Sequence, residues 1–139
     1  MRTKVLIDSG FLYALFMKDD PDYHLTRRAF RTPGLAFLIP QVVLTETAFL
    51  FNRSGGMRSV ATFLQLLDET HFPLEPVTYD DLKRAMQLLR TFPGTKLDFV
   101  DCCILAMAER LNVSHVATLD RRDFSIPRLQ TGESLTILP

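Results

Sequence analysis

The chain has only two cysteines and three histidines among its 139 residues, and their placement excludes the sites such residues usually build. Cys102 and Cys103 are adjacent with no second pair at zinc-type spacing, and His24, His71 and His115 are scattered, so a tetrahedral zinc site is not encoded. Neighbouring positions on a helix point about 100° apart, which makes the two cysteines core thiols of a reducing compartment rather than a redox pair. An excess of either charge is also missing. Sixteen basic and sixteen acidic residues balance to a net charge of zero, so no global positive field announces a nucleic acid, and any phosphate contact must come from a local patch.

No apolar run reaches the roughly 20 residues that cross a bilayer. The stretch 5–17 is the nearest imitation of a secretory signal, but Asp8 interrupts it and Lys18-Asp19-Asp20-Pro21 stands where small residues of a cleavage site belong, so the expected location is cytoplasmic. Internal repeats, linkers and low-complexity segments are absent. So are a glycine-rich phosphate loop with its lysine and an aromatic platform of the kind that stacks single-stranded bases. Phe11 and Tyr13 are assigned to core or dimer contacts.

What is present is a hydrophobic fraction of 47%, enough for one core burying about two-thirds of the unfolded surface. A single domain over 1–139 is expected. Residues 4–8 form a short aliphatic run that ends in an acid, the pattern of a buried strand delivering a carboxylate. A short buried helix over 10–16 and a second helix to Arg31, with Leu25 and Phe30 facing inward, follow it. Residues 35–39 are a second strand, and Pro40 leads into a helix over about 42–53 that Ser54-Gly55-Gly56 ends. The next helix, about 57–69, carries Val60, Phe63, Leu64 and Leu67 at helical spacing. Residues 72–77, with two prolines, predict a short peripheral strand. Thr78 and Asp81 form a capping box opening a helix with Leu82, Met86 and Leu89 as its stripe, and Pro93-Gly94 stops it. A helix over about 98–111, a strand over 116–119 and a last strand over 135–138 complete the chain. Alternating strands and helices of crossover length predict an α/β fold with a mainly parallel sheet, whose sites gather beyond the carboxyl ends of the strands.

The acids after strands are therefore the candidates. Asp8 ends the first strand and Asp120 ends the strand 116–119, so neighbouring parallel strands would bring both to one edge. Glu46 and Asp101 each lie early in an apolar helix. Bland readings exist: Asp98 is a natural N-cap with Asp101 favourable in the first helical turn, and Asp120 and Asp123 suit a turn. Asp8 and Glu46 resist them, because an unpaired carboxylate among apolar neighbours costs several kcal/mol to bury. Four carboxylates converging at strand ends suit Mg²⁺ or Mn²⁺, which favour hard oxygen donors, and metal-activated water attacking phosphorus is the chemistry such a set supports.

In order and spacing these segments resemble the PIN-domain ribonucleases of the VapC type, the toxins of toxin–antitoxin pairs. Leu6-Ile7-Asp8-Ser9-Gly10-Phe11-Leu12 looks like the family's opening motif and Val43-Leu44-Thr45-Glu46 like its second. The runs 99–111 and 116–124 are similar to the third and fourth, so the likeness covers 5–124. It implies a three-layer α/β/α fold, Asp8, Glu46, Asp101 and Asp120 as metal-binding catalytic acids, and Ser9 and Thr118 as hydroxyls holding carboxylates or waters. It further implies divalent-metal endonuclease activity on RNA, homodimers, and an antitoxin whose tail enters the active-site groove. Asp98 competes with Asp101 and is taken as cap or outer acid; Asp123 competes with Asp120 and is taken as a supporting acid. Arg121 and Arg122, beside the fourth acid, are candidate phosphate contacts.

The competing reading is a PIN-like module that binds RNA or protein without catalysis, against which the retention of all four acids weighs. A haloacid-dehalogenase-type phosphatase is set further behind, since Gly10 stands where that family has a second aspartate.

Overall fold

A computed structural model describes residues 2–94, 96–120 and 135–139 of the protein. Asp123, Arg121 and Arg122 lie outside the described residues. Among those described, strands β1 (Thr3–Ile7), β2 (Leu35–Pro40), β3 (Leu74–Glu75), β4 (His115–Ala117) and β5 (Thr136–Leu138) form one sheet in the order β3-β2-β1-β4-β5. Every pairing in it is parallel. The central strand explains why the first apolar run does not alternate: Val5, Leu6 and Ile7 are all buried, as a parallel strand covered on both faces requires.

The helices are α1 (Ser9–Phe16), α2 (Tyr23–Phe30), α3 (Leu44–Thr70), α4 (Tyr79–Thr91) and α5 (Phe99–Leu111). Helix α1 packs on α2 and α3, and α4 packs on α5. The chain moves outward from β1 to β2 to β3 and then returns to β4 on the other side of β1. Right-handed crossovers in those two opposite directions place the two helix groups on opposite faces of the sheet, giving the three layers expected. The reversal occurs between β1 and β4, which makes the carboxyl ends of those strands the switch-point crevice.

Several expectations about faces are corrected. In α2 the buried residue is Thr26, whose hydroxyl donates to the Tyr23 carbonyl at 3.0 Å, while Leu25 and Phe30 are exposed. In α3 Phe63 is buried and stacks on Phe51 at 4.7 Å, whereas Leu64 is exposed. In α4 the buried positions are Asp81, Ala85 and Leu88; Leu82 is half-buried, and Met86 and Leu89 face outward. The helix is rotated because Asp81 is drawn inward to Arg110 of α5 at 3.0 Å, and Arg84 reaches Glu109 of α5 at 2.9 Å. Periodicity locates a stripe but cannot see a partner helix that prefers a charge at its edge.

The two helices expected around Ser54-Gly55-Gly56 are the two limbs of α3, which meet at a kink where Gly56 leaves the helical conformation. There φ is 73° and ψ is −173°, a region open essentially to glycine alone. The predicted strand over 116–119 stops at Ala117. Cys102 and Cys103 are buried, and burial, first among the causes, pushes both thiols up to about 11, so they stay protonated core residues. None of the helices among the described residues is long and apolar enough to cross a membrane.

Candidate active site

The site begins where β1 ends. Asp8 donates its backbone N–H to the Ala117 carbonyl of β4 at 2.9 Å and then caps α1, its Oδ1 accepting the Ser9 N–H at 2.8 Å. A carboxylate at this position completes a strand and starts a helix at once, which fixes its direction. The register Leu6↔Val116 and Ile7↔Ala117, continued one step, sets Asp8 opposite Thr118. The Thr118 hydroxyl donates to Asp8 Oδ2 at 2.9 Å and accepts the Asp120 N–H at 3.0 Å. Both Asp8 oxygens are thus held, and the loop after β4 is tied to the same group.

Ser9 extends the constellation across the sheet. Its hydroxyl donates to Glu46 Oε1 at 3.0 Å, linking the first turn of α1 to the first turn of α3. Both hydroxyl residues singled out from sequence therefore orient carboxylates. Asp98 and Asp101 form a capping box at the start of α5. Asp98 Oδ1 accepts the Asp101 N–H at 2.9 Å, and Asp101 Oδ2 accepts the Asp98 N–H at 3.1 Å. The two competing acids share one motif, with Asp98 exposed and Asp101 half-buried.

The electrostatics bind these pieces together. Burial raises the Asp8 carboxyl above its ordinary value against the bonds from Ser9 and Thr118, and the charges of Glu46 and Asp98 raise it further. Asp101 is pushed up to about 8, chiefly by burial, with the Asp98 backbone N–H opposing and the charges of Asp98 and Asp8 adding. The charges of Glu46 and Asp98 thus reach Asp8, and those of Asp98 and Asp8 reach Asp101. The ion pairs formed among the described residues join Arg84 to Glu109 and Arg110 to Glu75 and Asp81, so among the described residues none of these four acids is paired with a basic side chain.

All-oxygen ligands whose own charges repel suit a hard divalent ion. The fit is one of donor chemistry: among the described residues no three acids stand close enough to enclose an ion. Asp120 is placed less intimately than expected. It does not close the strand, since β4 stops at Ala117 and the Thr118 hydroxyl turns the chain, leaving Asp120 exposed at the rim.

Sequence reading passed over two residues beside these acids. Phe49, one turn after Glu46, is 61% exposed, and Phe99, next to Asp98, is 50% exposed. Each looked like core in an apolar helix; the signal available was only its nearness to an acid.

A family model for the PIN domain matches residues 5–128. The chain belongs to the PIN domain family. This PIN domain is 22% identical to Ribonuclease VapC26 of Mycobacterium tuberculosis (strain ATCC 25618 / H37Rv) over 97% of its own length and the whole of that protein. Its fold is similar to the crystal structure of M. tuberculosis VapC20, described as a sarcin-ricin loop cleaving toxin, with a TM-score of 0.79 and 21% identity covering 97% of this chain and 99% of the other. It is also similar to VapBC2 from Rickettsia felis bound to a DNA fragment from their promoter, with a TM-score of 0.71, 14% identity and coverage of 99% and 100%.

Proposed function

We propose that the chain is a divalent-metal-dependent endoribonuclease, one domain over 1–139, acting in the cytoplasm as the toxin of a toxin–antitoxin pair. The observation that carries this reading is Asp8, held by Ser9 and Thr118, raised by burial and by the charges of Glu46 and Asp98, with no ion pair among the described residues. Membership of the PIN family and the likeness to named ribonucleases and toxins support it. The likeness to a VapBC2 assembly supports a cognate antitoxin and a homodimer as partners.

In this reading Asp8, Glu46, Asp101 and Asp120 hold Mg²⁺ or Mn²⁺, which when bound would activate water and neutralise charge on the phosphate. The chain's own groups do the positioning. Thr118 and Ser9 aim the Asp8 and Glu46 carboxylates and spare them the rotamer search that a free side chain would need. Asp98 holds the first turn of α5 and so the direction of Asp101. Burial and the charges of Asp98 and Asp8 raise the Asp101 carboxyl, and a bound cation would offset that repulsion and hold Asp101 as the carboxylate. Asp123 supports Asp120, and Arg121 and Arg122 contact phosphates beside it. Phe49 and Phe99, exposed one turn after Glu46 and next to Asp98, are the rings available to stack on a base near these acids.

The experiment is cleavage of a panel of structured RNAs with Mg²⁺, Mn²⁺ or excess chelator, run beside Asp8→Asn. Metal-dependent cutting that the variant loses is the expected result. Binding of the RNAs without cutting under any metal would instead favour a non-catalytic binding module.

A further inference from the structure

A half-open cavity lies at the other end of the sheet from the acids. It has a volume of about 470 Å³, within the range of small-molecule sites. Arg2 precedes β1 and Leu35 to Phe37 open β2, so the cavity is at the amino ends of the strands. Along β1 that is roughly 20 Å from Asp8 at about 3.3 Å per residue.

Its wall is aromatic. Phe30 lies 4.9 Å from Phe37 and 5.7 Å from Phe72, and Phe16 lies 6.2 Å from Phe72. Phe30 nonetheless remains 36% exposed, because the rings surround a space rather than fill it. Thr70 contributes a hydroxyl already donated to the Leu66 carbonyl at 2.7 Å. The polar groups left over belong to Arg2 and Arg27.

Arg27 is held in advance. Its Nε donates to the Leu15 carbonyl at 3.0 Å, and its guanidinium lies 4.9 Å from the Tyr23 ring centre. Those two contacts set the plane of the guanidinium and leave its terminal N–H groups uncommitted. The lining contains no acid, and among the described residues no carboxylate pairs with Arg2 or Arg27. An apolar cavity with a pre-oriented cationic fork at its wall is complementary to an apolar chain bearing an anionic head, of which a carboxylate is the smallest planar match.

We propose that this cavity binds a small amphiphilic carboxylate, its chain among Phe16, Phe30, Phe37 and Phe72 and its head on Arg27. The site is separate from the acidic crevice and stands whether or not the nuclease reading does. A neutral analogue of equal length forgoes the fork and keeps only the apolar packing.

The test is calorimetric titration of the full chain with decanoate and with decanol, both below micelle formation, alongside Arg27→Gln. We expect saturable binding of one decanoate per chain, at least tenfold weaker binding of decanol, and at least a tenfold loss of decanoate affinity in the variant with decanol unchanged. Amide shift mapping of the unsubstituted chain gives a readout that does not depend on the variant folding; decanoate should move Leu15, Ala36 and Thr70 and leave Ser9 and Thr118 in place. Absence of saturable decanoate binding, equal affinity for the two probes, indifference to Arg27→Gln in a folded variant, or shifts centred on the acids would each overturn the proposal.

Discussion

Helices α4 and α5 open with the same local device and put it to opposite ends. Thr78 and Asp81 form one capping box, Asp98 and Asp101 the other, each with an aspartate at the third helical position turned back to the cap N–H. Asp81 is buried to 1% side-chain exposure, and Arg110 lies on it at 3.0 Å. Burial alone would raise its carboxyl, but the Arg110 and Thr78 bonds outweigh that and hold it below the ordinary value. Asp101 has the burial and the cap, no arginine among the described residues and the charges of Asp98 and Asp8 beside it, and is pushed up to about 8. An acid whose counter-charge is supplied by the fold is structure; in the proposed reading Asp101 takes its counter-charge from a bound ion.

The comparison is broken most severely by exchanging asparagine for each acid in turn. Asp101→Asn is expected to lower metal-dependent RNA cleavage by at least about 10²-fold, the scale of a missing acid–base or metal-holding group, while Asp98→Asn lowers it less because Asp98 acts on Asp101 and not on substrate. Single-turnover rates check the order, and a larger loss at Asp98 would reverse the assignment. Asp81→Asn should leave cleavage within a factor of a few. Its effect falls on stability, about 2 kcal/mol by denaturant unfolding, on the low side for a broken buried pair because Arg110 remains 31% exposed.

A pH series sharpens the same contrast. Asp101 binds its proton more tightly folded than unfolded, so its contribution to stability is present at low pH and is lost as pH rises from the ordinary 3.8 through about 8. Asp81 runs the other way: its contribution is present above 3.8 and is lost as pH falls through its lower folded value. Melting curves in chelator should therefore show a decline toward alkaline pH that Asp101→Asn reduces, and an acid decline that Asp81→Asn reduces. Mg²⁺ should restore the alkaline side of the unsubstituted protein. A flat alkaline side without metal would remove the argument that Asp101 lacks a counter-charge.

The smallest expected effect is on binding. Replacing Arg121 and Arg122 together with alanine should weaken RNA association about equally across sequences and reduce the salt slope by about 2, one for each phosphate no longer neutralised. An unchanged slope in filter-binding assays across salt concentrations would return both arginines to the solvated surface.

Much of this was legible because it depends on neighbours along the chain. Lys4 to Asp8 announces a buried strand ending in an acid, and Thr78 with Asp81 announces a cap, since strand burial and capping are decided within a few residues. The faces of α2 and α4 were not legible. Leu25, Met86 and Leu89 match an amphipathic period yet are exposed, while Thr26 of α2 and Asp81 of α4 are buried, Asp81 against Arg110 of α5. Phe49 and Phe99 are likewise apolar residues of apolar helices whose exposure depends on packing the sequence does not state.

By itself the sequence determined the alternation of strands and helices, the acids that close or follow them, and Gly56 where the backbone enters a region other residues avoid. The tertiary structure alone decided that β4 lies beside β1, so that a threonine 110 positions away holds Asp8, and which capped aspartate receives an arginine. Periodicity and caps are short-range properties written in adjacent residues, whereas charge balance depends on which distant side chains the fold brings within a few ångströms.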